Sequence, residues 1–180
     1  MGYYLGQIIS TPYTNFVRSD LRNFEICDGR LLDITDRDFS PLFDLIGYRF
    51  GGDGKTTFAV PDLRDFINFP PPFSEYQYFF HFRIATWGIP PSPSHPGPDM
   101  LLGEIMLLPD TIEQEPYGTM KCDGRLLPVN YEYAHLYSLV GTKFGGDGIV
   151  DFAIPDMRQQ APEGLNYCIV TKGIYPHRSY

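Results

Sequence analysis

Residues 27–64, CDGRLLDITDRDFSPLFDLIGYRFGGDGKTTFAVPDLR, return almost intact at 122–158 as CDGRLLPVNYEYAHLYSLVGTKFGGDGIVDFAIPDMR. With one single-residue gap in the middle, about half of the aligned positions are identical. The identities keep one order: CDGRLL, then FGGDG, then FA-x-PD-x-R. Repetition over such a length means two copies of one supersecondary unit. The likeness extends outward, because 3–10 (YYLGQIIS) answers 101–108 (LLGEIMLL) and FRIATWGIPP (82–91) answers YCIVTKGIYP (167–176).

Each copy reads as a short series of elements. The β-rich stretches 3–10 and 101–108 predict opening strands, and the connections 11–23 and 109–119 are turn-rich and differ between copies. At 24–34 and 120–129 the pairs Asp28-Gly29 and Asp123-Gly124 predict a hairpin, since Asp-Gly favours a tight turn with positive φ. Arg30 and Arg125 follow each turn at one spacing and are expected to pair with a carboxylate of the repeat. A helix is expected over 36–46, with Asp36 or Asp38 at its start and Phe39, Leu42, Phe43 and Ile46 on one face. Its twin over 130–140 has Asn130 as cap and Tyr133, Leu136, Tyr137 and Val140 on that face. Gly47 and Gly141 stand where a left-handed residue ends a helix.

The next loop holds Gly51, Gly52, Asp53 and Gly54 in one copy and Gly145, Gly146, Asp147 and Gly148 in the other. Three glycines in five residues describe a backbone that ordinary side chains cannot follow. A phosphate-binding loop would also need a Lys-Ser/Thr pair, which is absent. One carboxylate per loop falls short of a calcium set. The expected role of the Asp is to bind its own loop amides. Pro61-Asp62 and Pro155-Asp156 then turn the chain, and Arg64 and Arg158 are expected to reach the Asp of the Gly-rich loop or of the CDGR turn. These repeated residues are expected to be structural framework.

Composition limits the function. A formal charge of -8 and a pI near 4.8 argue against nucleic acid or an anionic membrane as partner, because either requires many cations. No apolar run reaches the roughly 20 residues of a membrane span, and the first ten residues lack the basic and apolar regions of a secretory signal. Three cysteines, none in a CxxC pair, are too few for a disulfide scaffold and are expected to be buried thiols. His81, His95, His135 and His177 are scattered, with no zinc-binding spacing. No nucleophile elbow or repeated Cys-His pair occurs, so no catalytic, metal or cofactor residue is assigned.

Residues 65–82 are dense in aromatics and prolines, whereas the second copy has only about eight residues there. Phe73, Tyr76, Tyr78, Phe79, Phe80 and Phe82 are the candidate interface. The proline-rich run PPSPSHPGP divides the copies and is expected to act as a stiff spacer. The division is therefore 1–89, a linker at 90–99, and 100–180.

The ordered set CDGRLL, helix, FGGDG and FA-x-PD-x-R, with the opening Gly-Gln/Glu-Ile and the closing GIYPHR, resembles the phage tail collar family. The resemblance covers about four-fifths of the chain and both copies. It implies an α+β fold in two tandem collar-like repeats, and a non-enzymatic structural or host-contacting part of a phage tail, tail fibre or related injection apparatus. It also implies homo-oligomers or other tail and fibre proteins as partners, with a final location in such an assembly. Longer members carry an extended region after PDLRGR; here Asp65 or Gln159 follows the Arg, which favours a compact scaffold. The alternative is a lectin-like adhesin stacking cell-surface glycan on Trp87, Tyr76 or Tyr117.

Overall fold

A computed structural model describes residues 2–11, 23–66 and 81–176. Ten strands and two short helices follow one another among them: β1 (Ile8–Thr11), β2 (Phe24–Ile26), β3 (Leu31–Asp33), α1 (Ser40–Ile46), β4 (Thr57–Ala59), β5 (His81–Ala85), β6 (Ile105–Pro109), β7 (Thr119–Lys121), β8 (Leu126–Pro128), α2 (Ala134–Val140), β9 (Asp151–Ala153) and β10 (Leu165–Val170). The protein is α+β, and its elements recur in the same order in each half.

Six strands form one sheet in the order β2-β5-β1-β6-β10-β7. The repeats equate β1 with β6, β2 with β7 and β5 with β10, so this order reads the same from either edge. Central strands β1 and β6 pair antiparallel with Ile8 opposite Leu107. One step along that register, Ile9 faces Met106, its own counterpart in the other copy. A pseudo-twofold axis thus passes between the two copies, through one continuous sheet. Each half adds a two-stranded sheet, β3-β4 or β8-β9.

Strand alternation divides the core between the two faces of the main sheet. One face carries Ile8, Ile84, Leu107 and Leu165, packed with Leu42 and Ile46 of α1 and with Phe58, Val60 and Cys27. On the second half Ile169 packs with Leu136 and Val140 of α2, Phe152, Ile154 and Cys122. Met106, Leu108, Cys168 and Val170 point to the opposite face, where Tyr4, Met100 and Ile112 cover them. Burial of each such aliphatic or aromatic side chain is worth about 1.5–3 kcal/mol.

The expected hairpin does not form. Strands β2 and β3 belong to different sheets: β2 pairs with β5, and β3 pairs with β4. Asp28 instead bridges Asp62, and Gly29 N–H donates to Pro61 O at 3.3 Å. The Asp-Gly pair is where the chain leaves the main sheet for the small one, with Gly29 at φ 76° and Gly124 at φ 78°. A Cβ at either glycine would press on Asp62 or Asp156.

Both helices are shorter than expected, seven residues each. Their cap positions, Phe39 and Tyr133, make no side-chain cap bond. Asp36 Oδ1 accepts the Asp38 amide, and Asn130 Oδ1 accepts the Tyr133 amide at 3.2 Å, so these side chains shape the turn leading into each helix. The expected faces are right: Leu42, Ile46, Leu136 and Val140 are buried, with Phe39, Phe43, Tyr133 and Tyr137 packed beside them.

Nor does the proline-rich run hold the copies apart. Pro98 is buried, Gly97 lies against the Tyr4 ring, and Ser92 O accepts the Tyr117 amide at 2.8 Å. The run lies along the body of the protein because Tyr4, fully buried, needs cover on that face.

Candidate functional site

Four small devices repeat, and each follows from its local sequence. In the Gly-rich loop Asp53 Oδ1 accepts the amides of Lys55, Thr56 and Thr57 at 2.8–2.9 Å. Asp147 likewise accepts the amides of Ile149, Val150 and Asp151. Amide donation, led by Thr57, holds the Asp53 carboxyl far below the ordinary range, and that of Val150 leads for Asp147. Gly52 and Gly146 allow the loop to fold back: a Cβ there would lie 2.5 Å from Thr57 O and from Phe152 Cα, respectively.

The second and third devices are hooks of the form Asp-x-Arg. In CDGR, Asp28 accepts Arg30 Nε at 2.9 Å and Nη2 at 2.7 Å. In PDLR, Asp62 accepts Arg64 Nε at 2.9 Å, with Nη2 on its other oxygen. Asp123–Arg125 and Asp156–Arg158 reproduce both hooks. The Asp28–Asp62 and Asp123–Asp156 bridges set the two hooks of each unit side by side. Arg hydrogen bonding lowers all four carboxyls, Asp156 to about 2. Arg30 and Arg125 take a further carboxylate, Glu25 at 3.2 Å and Glu115 at 2.7 Å.

The expectation that Arg64 and Arg158 reach across to the Gly-rich loop or the CDGR turn is therefore corrected. Each guanidinium is held by the Asp two residues before it, and the Gly-loop carboxylates are taken up by amides. Among the described residues, no group of three or more His, Cys, Asp or Glu could hold a metal ion. The three cysteines are free and buried, and burial pushes the thiols up, to about 12 for Cys122 and Cys168.

The fourth device explains the opening Gly-Gln/Glu-Ile. Gln7 Oε1 accepts the Tyr4 amide at 3.0 Å, and Glu104 Oε2 accepts the Leu101 amide at 3.1 Å. Sequence reading saw the position repeat without finding its role. It also missed the tie between the halves: Arg49 binds Asp110 through two bonds, of 3.1 and 2.8 Å. No spacing pattern announces a pair so far apart in the chain.

Of the candidate interface, Phe73, Tyr76, Tyr78, Phe79 and Phe80 lie outside the described residues, as does Tyr76 of the glycan alternative. Phe82 is half-buried on β5, its ring 5.7 Å from that of Phe66. Trp87 is 60% exposed, and Tyr117 lies under the Lys172 ammonium at 5.4 Å. At the tip of the second small sheet Tyr131, Ile149 and Val150 are exposed, where the first copy has Arg37, Lys55 and Thr56. Near the edge of the second half, Lys121, Met157, Arg158, Asn166 and Tyr167 line a cleft of about 210 Å³.

The fold and these devices define a tandem α+β framework protein whose repeated polar residues serve its own loops and turns. The sequence model of the phage tail collar domain matches the chain twice, over residues 6–67 and 103–162. The chain belongs to the phage tail collar family, with two tandem copies of the domain. Membership points to a structural role in a phage tail or fibre, among other tail proteins. No curated relative and no solved structure matches the chain. Among the described residues no helix is long and apolar enough to cross a membrane.

Proposed function

We propose that this protein is a non-enzymatic assembly component of a phage tail, tail fibre or related injection apparatus, acting as a two-unit scaffold that self-associates or docks on neighbouring proteins. The strand order β2-β5-β1-β6-β10-β7, the same from either edge, carries this reading. One chain supplies two equivalent collar units at fixed orientation, which suits an adaptor offering related faces to a symmetric assembly. The repeated charged residues support it too, since each is paired within its own copy. The aromatic and proline-rich stretch 65–82 is the proposed contact region, with Phe73, Tyr76, Tyr78, Phe79, Phe80 and Phe82 as its aromatic residues. Light scattering over a wide concentration range, followed by negative-stain imaging, tests the proposal. Discrete oligomers, rings or filaments are expected; a strict monomer that recruits no tail protein contradicts it.

The adhesin alternative keeps one supporting observation, the exposed ring of Trp87, which could stack on a sugar. A glycan array would then register binding that Trp87→Ala abolishes, and an array without hits dismisses it.

A further inference from the structure

The two copies differ at one place where their backbones agree. Phe66 N–H donates to Leu63 O at 3.2 Å, and Gln160 N–H donates to Met157 O at 3.1 Å. Phe66 and Gln160 thus occupy one position in the turn after PD-x-R. In the first copy the Phe66 ring turns inward, packing beside Phe82 and joining the cluster that contains Cys27 and Leu63. In the second copy Gln160 is exposed. The matching wall, Cys122, Met157 and Tyr167, lines the open cleft of about 210 Å³. A cavity of about 150 Å³ suffices for a benzene ring, so this space accepts one aromatic side chain.

The rim differs as well. Lys121 stands where the first copy has Ile26, and it forms no salt bridge. Its charge reaches Asp110 only at a distance, helping to lower that carboxyl. Arg158 and Asp123, which also line the cleft, are already paired, with Asp156 and Arg125 respectively. The cleft therefore combines an aromatic-sized hole with one cation that is in no salt bridge.

We propose that this cleft is a docking site for a polypeptide of another chain, which inserts an aromatic side chain flanked by a carboxylate. The first copy shows the occupant's form: Asp65-Phe66 puts a ring into the equivalent place with an acidic residue beside it. In the second copy that ring must come from outside, and Lys121 meets the carboxylate. A fully desolvated aromatic in a fitted pocket is the kind of contact that dominates binding energy. The proposal deepens the docking reading above and rests on it.

The test follows the Met157 methyl resonance of the intact protein while a blocked peptide Arg-Asp-Phe-Ile-Asn, the sequence of residues 64–68, is added. A saturable shift is expected, with affinity at least about tenfold weaker when alanine replaces the peptide's phenylalanine. Gln160→Phe should fill the hole from within and abolish the response while leaving the unfolding midpoint unchanged or raised. Lys121→Ile, which restores the first copy's residue, should weaken binding severalfold. Absence of a shift at millimolar peptide, equal binding of the alanine peptide, or undiminished binding to Gln160→Phe overturns the proposal. So does saturation by glucuronate in place of the peptide, which would make the cleft a sugar site. Self-association without peptide binding would remove this site and leave the scaffold reading standing.

Discussion

The first and second copies share a backbone and differ in what they leave open. Each has the same Gly-rich loop, the same pair of Asp-x-Arg hooks and the same helix face. Yet Phe66 fills its turn in the first, while Gln160 leaves a cleft in the second. Lys55-Thr56 caps one loop tip, and the exposed pair Ile149-Val150 caps the other. The repeated residues are those the backbone requires; the divergent ones are those a partner could meet. On the proposed docking reading, the differences between the copies meet the partner and the motifs support the backbone.

Changes to the shared core should have the largest effects and should be alike in both copies. Phe58 and Phe152 are both fully buried. Phe58→Ala and Phe152→Ala are each expected to cost about 3–5 kcal/mol in denaturant unfolding. A cost in one copy well below that in the other would break the equivalence. Next come the loop glycines. Gly52→Ala and Gly146→Ala combine positive φ, 93° and 88°, with a Cβ 2.5 Å from neighbouring backbone. A loss of about 3 kcal/mol is expected for each, with Gly47→Ala milder because nothing lies within 4 Å of its Cβ position.

Acid should loosen both copies together. Every hook and loop Asp is held below its ordinary value, so each contributes stability that is present above about pH 4 and lost as pH falls through its folded value, which is about 2 for Asp156. The unfolding midpoint should therefore drop between pH 4 and 2, less steeply in Asp156→Asn. The smallest effect is expected at the half-exposed hooks. Arg30→Ala and Arg125→Ala should each cost about 1 kcal/mol or less, since solvent screens such pairs. Arg125 should be the costlier, because it is less exposed and makes two bonds to Glu115.

Much of this framework is legible in the sequence. The repeat shows in its identities, the helix faces in their spacing, and the Gly-rich loops in their glycines, because all three are local constraints. The pairing beyond Asp28-Gly29 is not legible, because a turn pair specifies a change of direction without saying which strand lies beyond it. Pairing of β2 with β5 joins residues far apart in the chain, across strands only three to five residues long. The helices start later than their polar residues suggest, because Asp36 and Asn130 shape a preceding turn. Arg64 pairs locally because an Asp two residues away outcompetes a distant one. Arg49–Asp110 and the β1–β6 seam depend on the docking of one copy against the other, which leaves no periodic trace. The cleft did leave one, in the exchange of Phe66 for Gln160, but its meaning needs the backbone match.

Amide hydrogen exchange in β5 and β10 most directly tests whether the two copies form one sheet and stand or fall together. These strands are equivalent, one in each half, and the β1–β6 seam links them. The account predicts one common opening free energy for their slowest amides, reduced by the same amount in both strands when Phe152→Ala weakens only the second copy. If β10 alone loses protection while β5 keeps its full value, the halves unfold independently and the continuous-sheet scaffold is wrong.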